Sequence, residues 1–308
     1  MSWTTEDIPV QDGKIIVVTG ANSGLGYWTT YHLAKRHAEV VMACRNTSKA
    51  NEAADKIRKD FPSARLDIME LDLADIESIK RFSEAFHKKY KQLNILINNA
   101  GVMAIPERRT KQGFEMQFGT NHLGHFVLTS LLFDLIKKTR GSRVVTLSSL
   151  MHKRGEIRFE DLNWDSDYSK WKAYGQSKLA NLLFMLELEK KIKSSGNSVI
   201  SVASHPGWAS TNLQAKGPEM EGSNIGLWLN NLGNNLLAQS AEMGAMPTLY
   251  AATSHDVTGG KYYGPSGFGG LRGYPHEENI NAEKADMKVA DRLWKESEKL
   301  SGINFSIN

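Results

Sequence analysis

Short runs of β-branched and other apolar residues recur along this chain. Between them lie longer stretches in which apolar residues return every three or four positions. Runs at 14–19, 39–43, 66–70, 93–98, 143–148 and 198–204 read as strands, with a weaker seventh at 261–263. The stretches 27–36, 48–60, 76–90, 114–139 and 173–193 read as helices. Alternation of the two predicts an α/β fold, a doubly wound parallel sheet of about seven strands with helices on both faces. Ligands of such sheets bind at the carboxyl ends of the strands. The first helix closes on Lys35-Arg36-His37-Ala38 with no glycine. His37 is therefore expected to take the left-handed position before the second strand.

Between the first strand and the first helix stands Thr19-Gly20-Ala21-Asn22-Ser23-Gly24-Leu25-Gly26. Glycines at a strand-to-helix turn let the backbone approach a phosphate, and the helix N-terminus aims free N–H groups and partial positive charge at it. Gly20, Asn22, Ser23, Gly24, Leu25 and Gly26 are thus the candidate cradle for a dinucleotide pyrophosphate. The second strand ends at Cys44-Arg45-Asn46. An NAD site usually has an acid here for the ribose 2′-hydroxyl. Cys44 occupies that place, and Arg45 offers the forked, charged donors that suit a 2′-phosphate, so NADP(H) is the expected cofactor. Asn46 belongs to the same loop. Beyond the third strand, the carboxylate of Asp72-Leu73 either takes an adenine amino group or caps the next helix, for which Asp75 is better placed. The fourth strand runs into Asn98-Asn99-Ala100-Gly101, small and amide residues that let backbone approach a ligand.

Composition narrows the partners. The chain has 308 residues, 41% of them hydrophobic, and its net charge of +4 comes from 38 basic and 34 acidic residues. So small and dispersed an excess gives no nucleic-acid footprint. No apolar stretch reaches spanning length, and residues 1–12 lack the apolar core of a secretory signal. One cysteine excludes an internal disulfide and fits a reducing compartment, so a cytoplasmic protein is expected. No repeat or low-complexity linker divides the chain, which reads as one domain over 1–308. His122 and His125 have no third ligand at metal spacing, and no metal is expected.

Tyr174 and Lys178 lie four apart on one helix face, where an ammonium lowers a phenol's pKa towards a useful acid/base range. With Thr19-Gly20, Gly24, Gly26, Asn98-Asn99-Ala100-Gly101, Asn121, Ser149 and Pro206-Gly207 with Thr211, the chain resembles the short-chain dehydrogenase/reductase family over roughly residues 12 to 265. Ala43-Cys44-Arg45-Asn46, Asn121-His122-Leu123-Gly124-His125-Phe126 and the segment Tyr174 to Asn181 look most like its retinol dehydrogenase and WW-domain oxidoreductase branch. There is some similarity to protochlorophyllide reductases. Tyr262-Tyr263-Gly264-Pro265 looks more like uncharacterised bacterial relatives.

The resemblance implies a Rossmann-type domain and hydride chemistry. Tyr174 would act as acid/base, Ser149 would orient the carbonyl oxygen, and Lys178 would tune Tyr174 and hold the nicotinamide ribose. Asn121 would sit at a local helix distortion and hold a water leading to Lys178. The turn Pro206-Gly207-Trp208, with Thr211, would hold the nicotinamide carboxamide. Residues 150–172, with Trp164, Tyr168 and Trp171, either wall the pocket or cover the sheet. Residues 208–246 form the expected substrate loop. Leu227, Trp228, Leu232 and Leu237 in it suggest a hydrophobic or aromatic carbonyl or alcohol, or else pack on the domain or on a second subunit of a homo-oligomer. The tail 265–308 reads as polar and partly helical, without chemistry. Alternatives to carbonyl reduction are reduction of a carbon–carbon double bond and a non-catalytic NADPH-binding sensor or scaffold.

Overall fold

The computed structural model describes residues 2–209 and 238–307. Its strands are β1 (Ile15–Thr19), β2 (Glu39–Cys44), β3 (Arg65–Glu70), β4 (Ile95–Asn98), β5 (Arg143–Leu147), β6 (Ile200–Ser204), β7 (Tyr262–Gly267) and β8 (Arg272–Glu278). They form one sheet in the order β3-β2-β1-β4-β5-β6-β7-β8. The first seven run parallel, and β8 returns antiparallel beside β7. The expected parallel sheet is present, with one strand more than its hydrophobic pattern declared. β8, Arg-Gly-Tyr-Pro-His-Glu-Glu, has no apolar run to reveal it.

The main helices are α1 (Gly24–Lys35), α2 (Thr47–Asp60), α3 (Ile76–Lys89), α4 (Gly124–Lys138), α5 (Lys170–Ser194), α6 (Ala241–Thr253) and α7 (Met287–Ser301). One face of the sheet buries Leu33, Ala54 and Ile57 of α1 and α2 and Leu249 of α6 against Val18, Val40 and Val202. The other buries Phe82 and Phe86 of α3, Phe126 and Phe133 of α4 and Phe184 of α5 against Val17, Leu96 and Val144. Covered on both sides, β1 and β2 read as nearly continuous apolar runs. His37 has φ of 69°, the left-handed conformation expected of it. Asp75, rather than Asp72, caps α3, with the Glu77 amide 3.0 Å from its Oδ1.

The tail departs from its expected polar character. Trp294 of α7 is 3% exposed and packs edge-on to Phe126 and stacked on Phe184 and Phe305. Thr211 and residues 210–237 of the expected substrate loop lie outside the described residues.

Candidate active site

Parallel register brings Thr19, Asn98, Ser148 and Ser204 to one edge of the sheet. The turn from β1 to α1 is built for close approach. A Cβ at Gly26 would stand 2.3 Å from the Gly20 carbonyl oxygen and 2.7 Å from Asn99 Nδ2. Ser23 occupies the N-cap of α1 without a side-chain cap bond, so first-turn N–H groups keep their capacity for an anion. Thr19 Oγ1 accepts from the amides of Asn99 and Ala100, each at 2.9 Å, and Asn99 Nδ2 donates to Thr19 O at 2.7 Å. The ends of β1 and β4 are thereby fixed together. Only glycine fits at position 26, so the start of α1 packs directly on Gly20 and Asn99, and the uncapped first-turn amides beside them fit a pyrophosphate.

At the end of β2, Cys44 is buried, and burial pushes its thiol up to about 11, against the pull of the nearby Ala21 and Asn22 amides. It therefore holds the glycine turn from below. Arg45 is exposed just beyond β2, and Asn46 caps α2 by accepting from Lys49 N at 2.9 Å. The Asp72 carboxylate accepts from Ala74 N at 3.0 Å, and Leu73 backs onto Gly124, where a Cβ would stand 2.5 Å from the Leu73 carbonyl oxygen.

At the other end, Asn121 lies in a π-helical segment, Gly119–Leu123, that interrupts the helix running into α4. The distortion expected there is present. The wider turn aims Asn121 at the strand ends. Its Oδ1 accepts from Val102 N at 2.8 Å, and its Nδ2 donates to Val102 O and to Ser177 Oγ, each at 2.9 Å. Ser177 donates in turn to the Tyr174 carbonyl at 2.8 Å. The Asn121 amide is thus tied to the helix that carries Tyr174 and Lys178. A carbon added at Gly101 would lie 3.0 Å from Asn121 Oδ1 and 3.6 Å from Lys178 Nζ, so the three positions converge.

Lys178 Nζ donates to Leu147 O at 3.2 Å and stands 5.7 Å from the centre of the Tyr174 ring. The Ser149 hydroxyl lies beside the Tyr174 phenol and pulls its titration down. Ser148 is used structurally, donating to Lys178 O at 2.8 Å. Burial dominates both titrations. It pushes the Tyr174 phenol up to about 12, against the pull of Ser149, and the Lys178 ammonium down to about 8. This reverses the expected lowering of Tyr174, because desolvation of the phenolate outweighs a cation over 5 Å from the ring.

The insertion 150–172 splits between burial and exposure. Trp164 is buried beneath the Arg158 guanidinium, and Tyr168 donates to Ile105 O at 2.9 Å. Trp171 stays 49% exposed, edge-on to Tyr174. His122 and His125 are buried against hydroxyls, Ser297 and Thr19 respectively.

These features agree with what the chain is similar to. The family described as short chain dehydrogenase matches residues 14–222. The chain belongs to that family. It is an oxidoreductase family whose members work with a nicotinamide cofactor. Human retinol dehydrogenase 13 is 40% identical over 300 residues, 94% of this chain and 85% of that protein. Mouse retinol dehydrogenase 14 is 39% identical over 309 residues, 96% of this chain and 88% of that protein. Among solved structures, an uncharacterized protein from Mycobacterium paratuberculosis has a TM-score of 0.82 at 40% identity, covering 99% of this chain and 100% of its own. A short chain dehydrogenase from Shigella flexneri complexed with NADP shares the fold at 20% identity, with a TM-score of 0.63 over 83% of this chain and 98% of its own. No helix among the described residues is long and apolar enough to cross a membrane.

Three residues at the site escaped the sequence reading. His205, Gln239 and Glu278 all support the turn at Pro206-Gly207. His205 had a signal, a histidine directly before a Pro-Gly pair at a strand end. Glu278 had none, because it meets His205 across a separation of 73 residues.

Proposed function

We propose that the protein is an NADP(H)-dependent reductase of hydrophobic or aromatic carbonyls, able to oxidise the corresponding alcohols, that acts through Tyr174, Ser149, Lys178 and Asn121. The observation that carries the reading is the convergence of a buried Tyr174, with Ser149 beside it, and Lys178 with Asn121, which meet at Gly101. The retinol dehydrogenase names of its relatives support retinoid-like aldehydes and alcohols as the substrate class. Gly20, Asn22, Ser23, Gly24, Leu25, Gly26, Asn99, Ala100 and Gly101 would hold the pyrophosphate and neighbouring ribose. Arg45 and Asn46 would hold the 2′-phosphate, Asp72 and Leu73 the adenine, and Pro206, Gly207, Trp208 and Thr211 the carboxamide.

A bound nicotinamide dinucleotide supplies the hydride. The chain's own part is positioning and proton transfer. The Tyr174 phenol, held protonated at neutral pH by its burial, donates to the carbonyl oxygen of the substrate. Ser149 donates a hydrogen bond to the same oxygen and fixes it beside the phenol. As the phenolate forms, the Lys178 ammonium stabilises it, and Asn121 keeps that helix in place. The test is consumption of NADPH, followed optically, with retinal and a panel of aromatic ketones. A protein that consumes no NADPH with any of them lacks this function.

Cofactor choice checks Arg45 separately. A charge-assisted hydrogen bond contributes about 1.5–3 kcal/mol, roughly 10- to 100-fold in affinity. The wild type is expected to prefer NADPH over NADH by about that factor, and Arg45→Ala to lose the preference through NADPH alone. Values of kcat/KM for both cofactors decide it. A wild-type preference for NADH, or equal weakening of both by Arg45→Ala, rules Arg45 out.

A pH profile checks Lys178. Its buried ammonium is charged below about pH 8 and neutral above it. Reduction needs the cation, so the reductive kcat is expected to fall as pH rises through that value. A kcat that stays level from pH 7 to pH 9.5 would show that the charge is not used.

A further inference from the structure

The turn at Pro206-Gly207 is held from beneath by residues of the tail. His205, 0% exposed, accepts from Gly207 N at Nδ1 over 3.1 Å, and its Nε2 lies 2.7 Å from Glu278 Oε1. Since Nδ1 accepts, Nε2 carries the proton and donates to the carboxylate, which fixes both the tautomer and the ring plane. Glu278 is the last residue of β8 and lies opposite Tyr262 of β7, whose ring packs on His205 with centroids 5.1 Å apart.

The chain clears room for this pair. A Cβ at Gly264 would fall 1.9 Å from His205 Nε2 and 2.4 Å from Glu278 Oε1, and one at Gly270 would fall 2.9 Å from Glu278 Oε1. Further ties run from the same hairpin. Gln239 donates to Pro206 O at 2.8 Å and accepts from Gly273 N at 3.2 Å, while Trp208 N donates to Leu271 O at 2.8 Å. Burial alone would raise the Glu278 carboxyl, but the His205 hydrogen bond holds it below its ordinary value, so the carboxylate acceptor persists at neutral pH.

We propose that His205 and Glu278 are positioning residues for the nicotinamide end of the cofactor, with Glu278 acting through the His205 ring to set the Pro206-Gly207 turn. The proposal rests on the cofactor reading above. It gives the C-terminal strand a role in the site that neither Tyr174 nor the glycine turn requires.

The experiment compares two ligands by calorimetry. NADPH carries the nicotinamide, and adenosine 2′,5′-bisphosphate carries only the adenosine half. Glu278→Leu removes the acceptor at similar volume and is expected to weaken NADPH by about tenfold or more, the loss of one charge-assisted bond, and to leave the bisphosphate within about twofold. Glu278→Gln retains a neutral acceptor and is expected to weaken NADPH by only about threefold. An unchanged Kd for NADPH in Glu278→Leu, or equal losses for both ligands, overturns the proposal. Should Glu278→Leu fail to fold, Glu278→Gln decides by the same comparison, and unchanged NADPH binding there overturns it. A wild type that binds neither ligand overturns the cofactor reading itself, a result distinct from a clamp that fails in a protein that binds both.

Discussion

Tyr174→Phe is expected to bind NADPH with nearly wild-type affinity and to turn over at least about 100-fold more slowly. The phenol is buried and pushed up to about 12, with Ser149 beside it, so it is protonated at neutral pH, as the proposed role of proton donor requires. Phenylalanine fills the same volume beside Trp171 and leaves the ring packing in place. The change therefore removes a proton donor and little else. The measurement is single-turnover reduction together with NADPH affinity. A variant that keeps most of its turnover would show that the proton comes from another group, and one that loses cofactor binding would show that the phenol is structural.

Trp294→Ala is expected to cost about 3–5 kcal/mol of stability, the usual range for deleting a buried tryptophan. Trp294 lies on α7, outside the alternating strand and helix pattern, but its ring joins Phe126, Phe184 and Phe305 at centroid distances of 5.1, 5.8 and 4.7 Å. Phe184 stands on the helix of Tyr174 and Phe126 on the helix that follows Asn121, so the tail braces the two helices carrying the site. Urea unfolding measures the loss, and turnover per folded molecule is expected to hold. A loss below about 1 kcal/mol would show that the cluster closes over the gap.

How far the chain can be read without its structure depends on where each partner lies. The glycine turn is local. Gly20 and Gly26 are six positions apart and meet through their own backbone, so spacing alone exposes them. Asn121 is nearly as legible, since asparagine inside an apolar helix has to be explained, and the π-helical segment explains it. The direction of the Tyr174 shift was not legible. Spacing places a lysine one turn away but says nothing of the depth at which both groups are buried, and depth decides the sign. β8 was hidden for another reason. Its residues alternate between exposed and half-buried, with charges and a proline among them, so no hydrophobic pattern declares a strand. α7 buries Ala290, Leu293 and Trp294, with Met287, Val289 and Leu300 half-buried beside them, and charged residues fill the rest of its sequence.

The same polar character of β8 decides how the sheet ends. An outermost strand normally presents free N–H and C=O groups to which another chain can add a strand. Here Pro275 stands opposite Pro265. Two facing prolines have no N–H to exchange, so this pair sits between ladder bonds and the Pro275 nitrogen, which has no proton, faces outward. The exposed Glu277 follows at once and brings charge to the same rim. Edge-to-edge growth into a continuous sheet is thereby discouraged at β8, and the strand that holds Glu278 under the turn also guards the molecule against aggregation.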